Sequence, residues 1–305
     1  MTGGRAGTGG HAGTGGTAVG RARSWLYVPA HKPGLLAKAM AGAADAVVLD
    51  LEDAVPAAAK DEARRNARQA MRQPRPKPLW IRVNPPASPE GADDLAALAY
   101  SRAPDGGAVG GLRVPKAEDP AAVTELADRA GLPLHLLIET ALGLENAFVL
   151  ARSHPAVAVI SLGEADLMAD LRVRDPGALE WARQRVITAN RAVGLPSPPH
   201  AVWTDVSDPA GLAQDTARAR DRGFFGRSVV HPRQIETVNR IFTPAPAEVE
   251  RARDLLACGA ARADSGAAAW LDDQGRFVDP AVVAGARWVV DLADSLANGR
   301  MTSQS

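Results

Sequence analysis

Acidic side chains stand at the ends of short apolar runs in this chain. Glu139 closes the run LLIET, and Asp166 follows the next run in SLGEAD. A run of four to eight apolar residues bounded by turn signals is typical of a strand buried on both faces. Two carboxylates after consecutive strands predict a site for a hard cation such as Mg²⁺, which takes one or two protein carboxylates and leaves room for substrate oxygens. A cation there could polarise the carbonyl of an α-keto acid.

Each carboxylate taken alone could instead cap the helix that follows it, because the helix dipole favours a negative group there. Arg82 in the run IRVN favours the metal site, since an arginine at the end of an apolar strand needs an anionic partner. Its planar fork suits a substrate carboxylate or a developing enolate oxygen. An ion pair with Glu52 or Asp53 is the alternative, and the two interpretations are compatible.

Three acids fall within four residues in the segment VVLDLEDAV. Alternation along a strand predicts Asp50 and Glu52 on one side and Asp53 on the other. So much negative charge requires cations nearby, and we expect at least one of the acids to bind metal-coordinated water or Arg82. Lys116 in RVPK is predicted to add positive charge for an anionic substrate, with a structural pair to one of these acids as an equal alternative.

Eight candidate strands are predicted to position these residues. They cover residues 25–30, 46–53, 79–84, 111–116, 134–140, 157–163, 200–204 and 226–231. Helical stretches separate them, among them residues 60–71 and two helices that begin at Pro120 and Pro209, each after an N-capping aspartate. Eight strands with helical crossovers favour an α/β fold of the (β/α)₈ TIM-barrel type, which carries its active site at the carboxyl ends of the strands. No GxGxxG motif joins a strand to a helix, which argues against a dinucleotide-binding sheet.

The chain is expected to contain three regions. Residues 1–22 are rich in glycine and predict a disordered tail, residues 23–242 form the catalytic barrel, and residues 243–305 form a C-terminal helical extension. This extension is predicted to serve as a lid or for oligomerisation. Helices are predicted at 233–241, 247–261 and 280–297, with WLDDQGRFVDP as an irregular loop before the last of them.

The composition excludes several classes of protein. Lys+Arg and Asp+Glu both number 35, so the formal net charge is zero. The chain therefore lacks the positive charge that would indicate nucleic acid or an anionic membrane as a partner. The lone Cys258, predicted to be buried in a helix, excludes an internal disulfide framework and favours a cytoplasmic location. His231 is expected to have a structural role, and the set Ser228, His231 and Asp205 lacks the GxSxG motif of a hydrolase.

Seven segments in order resemble the HpcH/HpaI aldolase and citrate lyase β-subunit family, most closely its stand-alone malyl-CoA and citramalyl-CoA lyases. They are RSWLYVPA, VVLDLEDAVPAAAKDEAR, IRVN, RVPKAE, IETALG, SLGEADL and GRSVVHPRQI. The resemblance runs from about residue 23 to about residue 297. It implies a (β/α)₈ barrel, commonly a homotrimer, that binds Mg²⁺, with Mn²⁺ as an alternative, and acts on a CoA thioester.

The resemblance also implies roles for individual residues. The metal ligands would be Glu139 and Asp166, the substrate-binding arginine would be Arg82, and Glu52 and Asp53 would form the acidic pair. An aspartate from the C-terminal loop of a neighbouring subunit would serve as the acid/base. That position falls on Asp279, with Phe277 where methionine is usual. Lys116 and Arg23 are the candidate cofactor-binding residues, apart from the two metal ligands.

Two departures from the family pattern bear on substrate identity. His200 in PPHAVWTD stands where many relatives have the aspartate of an Ala-Ile-Asp-Gly-like segment, and MADLRVRDPGALE after Asp166 shifts charge near the mouth of the barrel.

The predicted function is a Mg²⁺-dependent carbon–carbon lyase that cleaves a β-hydroxyacyl-CoA into an acyl-CoA and an α-keto acid. Four alternatives stay open. They are a hydroxyacyl-CoA thioesterase on the same scaffold, a pyruvate aldolase acting on free aldehydes, a citrate lyase β subunit acting on an acyl-carrier-protein thioester and, least favoured, a binding protein without catalysis.

Overall fold

Seven parallel strands form the sheet that carries the predicted site. The computed structural model describes residues 19–99, 109–263 and 269–301. The chain divides into two compact units, of which the first ends at Val238 and the second begins at Asn239. The strands are β1 (Ser24–Pro29), β2 (Ala46–Asp50), β3 (Leu79–Arg82), β4 (Val109–Val114), β5 (Leu134–Ile138), β6 (Val157–Leu162) and β7 (Arg227–Val229). Their order in the sheet is β6-β5-β4-β3-β2-β1-β7. The predicted α/β class is confirmed.

Helices connect the strands, as parallel pairing requires. They are α1 (Pro33–Ala41), α2 (Lys60–Met71), α3 (Pro89–Leu98), α4 (Pro120–Ala130), α5 (Ala141–Glu145), α6 (Ala147–Ala151), α7 (Glu164–Asp170), α8 (Glu180–Ala192), α9 (Pro209–Asp221) and α10 (Ile235–Phe242). Short 3₁₀ helices cover Ala57–Ala59, Pro176–Leu179 and Pro232–Gln234. Asp119 and Asp208 cap α4 and α9 through their side chains, each followed by proline at the first helical position.

The prediction of a strand over residues 200–204 is wrong, because only His200 of this segment pairs with a strand in the described part of the chain. His200 forms an isolated parallel bridge with Arg227, and no longer ladder involves this segment among the described residues. Pro198 and Pro199 directly precede it and have no N–H to donate to a ladder. Closure of the sheet into an eight-stranded barrel therefore stays a prediction.

Aromatic side chains from three strands of the sheet pack together in the core. The rings of Trp25, Trp80 and His135 lie 5.6–6.0 Å apart in tilted and edge-on pairs, and His135 hydrogen bonds with Ser161 at 2.7 Å. The core includes Val19, which is 1% exposed. The folded part therefore begins before Arg23, earlier than predicted, and residues 1–18 of the predicted tail lie outside the described residues.

The second unit contains two long helices and a small hairpin. These are α11 (Pro246–Ala263), α12 (Pro280–Met301) and the antiparallel strands β8 (Trp270–Leu271) and β9 (Phe277–Val278). The irregular loop predicted here is wrong, because Asp272 accepts backbone hydrogen bonds from Gln274 and Arg276 and closes a turn between the strands. Cys258 on α11 is exposed, contrary to the prediction that it is buried. None of the described helices has the length and apolarity that crossing a membrane requires.

Candidate active site

Arg82 is the centre of a charge cluster at the carboxyl ends of β2 and β3. Asp50 and Arg82 are paired in register as the last residues of their strands, so their side chains share a face of the sheet. Arg82 Nε and Nη2 each donate to Asp50 at 2.7 Å, which is a bidentate pair. Arg82 Nη1 lies 2.8 Å from Glu52 and 3.0 Å from Asp53. The predicted ion pair between Arg82 and these acids is present.

Asp50, Glu52 and Asp53 all contact Arg82, so the prediction that Asp53 points away is wrong. The strand ends at Asp50, whose carboxylate accepts hydrogen bonds from the backbone N–H groups of Glu52 and Ala54. This turn breaks the alternation of a strand and brings Asp53 back to the arginine.

A second layer of contacts holds the turn in place. Lys60 Nζ donates to the carbonyls of Leu51 and Glu52 and to Asn84 Oδ1, at 2.6–2.8 Å. The amide of Asn84 donates to the Leu51 carbonyl and to the buried Asp94. The acidic turn is therefore tied to both α2 and the segment after β3, which fixes the direction of the Arg82 guanidinium.

Glu139 follows β5 and is oriented by backbone groups on both sides. Its Oε2 accepts a hydrogen bond of 2.9 Å from the N–H of Lys116. Lys116 has a φ of 49°, a left-handed conformation that is uncommon for a side chain with a Cβ and that is often found at functional sites. Gly163 packs so closely that an added Cβ would lie 2.5 Å from Glu139 Cγ. Only glycine permits this approach.

Asp166 lies in the first turn of α7, directly after β6, and is exposed. β6 is the neighbour of β5 in the sheet, so Glu139 and Asp166 leave adjacent strand ends. Burial and the nearby Asp166 raise the pKa of Glu139 to about 7. The structure therefore brings together the two predicted metal ligands.

The electrostatics of this region fit a divalent cation. Burial, together with Asp53 and Glu139, raises the pKa of Glu52 to about 8, although Arg82 opposes the shift. In the described ranges, no three His, Cys, Asp or Glu side chains are grouped so that they could hold a metal ion. A cation here would have two carboxylates as protein ligands and open positions for substrate, which is the coordination that Mg²⁺ accepts.

A buried ionic network supports the start of α7, and sequence reasoning missed it. Glu164 accepts hydrogen bonds from Arg183 Nε and Nη2 at 2.9 and 2.6 Å, and its Oε1 lies 3.2 Å from His200 Nε2. His200 Nδ1 lies 2.8 Å from Arg227 Nη2, and Arg227 also pairs with Asp215. An arginine can only donate, so the proton of neutral His200 sits on Nε2 and points to Glu164.

This network explains His200, which departs from the family pattern. Burial lowers the pKa of His200, which keeps the ring neutral, while Glu164 opposes the shift. Glu164 precedes Asp166 by two residues on the same helix, so the network sets the position of the metal-ligand candidate. The signals in the sequence were the charged run GEAD after one predicted strand and His200 at the start of another, but nothing in their spacing indicated that they meet.

The remaining predicted residues make other contacts, each within its own unit. Arg23 is at the amino end of β1, where its guanidinium and backbone N–H donate to Asp45. Lys116 contributes its backbone N–H to Glu139, and its side chain is exposed. Asp279 belongs to the second unit, where its carboxylate accepts hydrogen bonds from Ala281 and Val282 at the start of α12. His231 caps a 3₁₀ helix by accepting from the N–H of Arg233.

Comparison with known proteins identifies the family. The model of HpcH/HpaI aldolase/citrate lyase matches residues 23–232. The chain belongs to this family. A (3S)-malyl-CoA thioesterase of Cereibacter sphaeroides is 34% identical over 286 residues, which cover 90% of this chain and 95% of that protein. A citrate lyase subunit β-like protein of Deinococcus radiodurans is 35% identical over 279 residues, which cover 87% and 95%. Family membership confirms the prediction of an enzyme of the citrate lyase type.

Solved structures of the family agree with the predicted ligands. CitE from Mycobacterium tuberculosis, in complex with magnesium, acetoacetate and coenzyme A, matches with a TM-score of 0.74 and 32% identity. The match covers 89% of this chain and 97% of that one. A second structure, the citrate lyase β subunit of the same organism with oxaloacetate and magnesium, matches at 0.65 and 32% and covers 75% and 100%. Magnesium and coenzyme A are the cofactor and substrate group predicted for this chain.

Proposed function

We propose that the protein is a Mg²⁺-dependent carbon–carbon lyase acting on a β-hydroxyacyl-CoA such as malyl-CoA or citramalyl-CoA. The observation that carries this is the pair Glu139 and Asp166 at adjacent strand ends, beside an arginine held by three acids. Mg²⁺ bound by Glu139 and Asp166 would supply Lewis-acid polarisation of the keto acid's oxygens. In this proposal the sheet belongs to a barrel whose active site lies at the carboxyl ends of these strands.

Arg82 would stabilise negative charge on the substrate. A guanidinium has five N–H groups, of which Asp50 accepts two and Asp53 accepts one from Nη1, while Glu52 forms an ion pair with Nη1 without a hydrogen bond. One hydrogen on Nη2 and one on Nη1 stay available for an enolate or carboxylate oxygen. Because the acids and Lys60 fix the guanidinium in advance, little ordering is needed when the substrate binds.

Asp279 would act as the acid/base and would come from a neighbouring subunit of a homotrimer. In cleavage, the substrate hydroxyl gives up its proton to solvent, the bond between the hydroxyl-bearing carbon and the α-carbon of the thioester breaks, and the electron pair of that bond forms the acyl-CoA enolate. Asp279 in its acid form then delivers a proton to the α-carbon and regains one from solvent, so that one proton is lost and one is taken up in each turnover. The products are an acyl-CoA and an α-keto acid, with all atoms retained.

Mixing two inactive variants tests the shared site. Asp166→Asn and Asp279→Asn should each be inactive, while a refolded equimolar mixture should recover about a quarter of wild-type activity, since a site needs one intact residue from each of two subunits. Recovery of nothing, with mixed oligomers present by native mass spectrometry, would show that Asp279 does not act across subunits.

Product analysis tests the reaction itself. Purified protein is incubated with Mg²⁺, acetyl-CoA or propionyl-CoA, and glyoxylate or pyruvate, and products are read by mass. A new hydroxyacyl-CoA that disappears with EDTA and with Asp166→Asn supports the lyase. If no pair reacts although calorimetry shows Mg²⁺ binding, a citrate lyase β subunit that needs an acyl carrier protein becomes the better account.

A thioesterase is the second candidate, favoured by the 34% identity to a protein named (3S)-malyl-CoA thioesterase. Hydrolysis of malyl-CoA would yield malate and free CoA, whereas cleavage yields acetyl-CoA and glyoxylate. A thiol reagent and a carbonyl trap used in parallel distinguish them. Thiol release without trapped glyoxylate would replace the lyase by the thioesterase.

A further inference from the structure

Tyr27 has a hydroxyl group without a partner in the described residues, directly beside the proposed site. It lies on β1, two residues before Pro29, which pairs in register with Asp50. Its ring packs on the core cluster that contains Trp25 and Trp80. The side chain is half-buried, no hydrogen bond involves its hydroxyl, and the hydroxyl is not among the buried polar atoms that lack a partner. The hydroxyl is therefore not fully enclosed by the protein.

Two guanidinium groups hold the Tyr27 ring. The Cζ atom of Arg82 lies 4.9 Å from the ring centroid and that of Arg113 lies 5.2 Å from it. Arg113 is 2% exposed, and its Nη2 donates to Ser228 at 2.9 Å, while its Nε and Nη1 have no hydrogen-bond partner among the described residues. The contact with the Tyr27 ring is thus one of the few interactions that this buried guanidinium makes among the described residues.

The packing explains an aromatic ring at position 27 but not its hydroxyl. Phenylalanine would make the same ring contacts with both guanidinium groups and with the core. The hydroxyl of a partly buried tyrosine usually finds a partner, and the charged groups that act on this one include Arg82, Asp50 and Glu139 of the proposed site. Burial raises the pKa of Tyr27, although Arg113 and Arg82 oppose the shift, so the group is a neutral donor at neutral pH.

We propose that the Tyr27 hydroxyl donates a hydrogen bond to the carbonyl oxygen of the α-keto acid, an inference that rests on the proposed function. The donor would stabilise the alkoxide oxygen that forms when the keto acid is attacked during condensation. Tyr27 is thus a substrate-binding residue that the sequence pattern did not single out.

Carbon-13 NMR of a single tyrosine tests the contact directly. The chain has two tyrosines, so Tyr100→Phe leaves Tyr27 as the only one. In this variant, labelled at the tyrosine Cζ, addition of pyruvate with Mg²⁺ should shift the single Cζ resonance, and addition of Mg²⁺ alone should shift it less. An unchanged resonance, with calorimetry showing that pyruvate binds, would overturn the inference and leave the proposed function intact. Absence of any pyruvate or glyoxylate binding to the wild type would overturn both.

Kinetics give the second readout, with Tyr100→Phe as the matched control. Tyr27→Phe should lower kcat/KM by at least about tenfold, as the loss of one donor to a developing oxyanion does. Its affinity for Mg²⁺, measured by calorimetry, should be unchanged because Glu139 and Asp166 are untouched. Activity of Tyr27→Phe within twofold of Tyr100→Phe would contradict the proposal.

Discussion

Glu164→Gln is the substitution whose cost the structure defines best. The carboxylate is 14% exposed and pairs with Arg183 and His200. Burial alone would raise its pKa, but the Arg183 and His200 hydrogen bonds dominate and lower it from 4.5 to about 2. A shift of this size corresponds to about 3 kcal/mol of folding free energy. We expect Glu164→Gln to lower the free energy of unfolding by about 3 kcal/mol at pH 7.

The sign of the pH dependence follows from the lowered pKa. A carboxylate with a depressed pKa in the folded state stabilises the fold fully above its unfolded pKa, and the contribution is lost as the pH falls. The difference between wild type and Glu164→Gln should therefore be constant from pH 8 to about pH 5. It should shrink below the reference pKa of 4.5 as the pH approaches 2.

Urea denaturation at pH 7.5, 5, 4 and 3.5 measures this difference, with Glu180→Gln as the control. Glu180 lies 3.7 Å from the same arginine but is 42% exposed, so its removal should cost less than about 1 kcal/mol. Equal costs for the two variants, or a Glu164→Gln cost that does not change down to pH 3.5, would refute the account of the network.

Three further predictions concern the site and its surroundings. The affinity for Mg²⁺ should fall about tenfold between pH 8 and pH 6 by calorimetry, because protons compete for Glu139, whose raised pKa is about 7; a flat profile would exclude Glu139 as a ligand. Gly163→Ala should weaken Mg²⁺ binding strongly, since the new Cβ would lie 2.5 Å from Glu139 Cγ, and wild-type affinity would contradict this packing. Asp45→Asn should lower the free energy of unfolding by about 1–3 kcal/mol, measured by denaturation, since it leaves Arg23 with a weaker partner. A raised KM for acyl-CoA at unchanged stability would instead indicate that Arg23 binds the substrate.

The sequence predicted the parts of the fold that depend on local signals. The helix Lys60–Met71 has the predicted bounds, because its charged, alanine-rich face repeats with the helical period. Pro120 and Pro209 mark helix starts because an N-capping aspartate precedes each. The segment 200–204 could not be judged in this way, because its apolar run was short and its pairing depends on which strand lies next to it.

The site was predicted as a set of strand ends but not as a set of contacts. Glu139, Asp166 and Arg82 were recognisable because charged residues ending apolar runs are unusual. The contact of Asp53 with Arg82 depends on a turn and joins residues 29 positions apart, and the contact of Glu164 with His200 joins residues 36 positions apart (200 − 164), so no local pattern encodes either. Tyr27 was not predicted as a site residue because it lies in an apolar run, where a tyrosine is usually part of the hydrophobic core.

The two halves of the proposed site are held by different means, and this has a consequence for catalysis. Arg82 is fixed by direct ion pairs and by Lys60, whereas Asp166 is exposed and depends on the buried Glu164–His200 contact two residues earlier. Burial is the first cause and neighbouring carboxylates the second of the raised pKa values of Glu52 and Glu139, so a cation bound here would favour the charged forms of both acids. A divalent cation at Glu139 and Asp166 would also join the two halves, so binding of Mg²⁺ should order the exposed ligand while the arginine stays where it is.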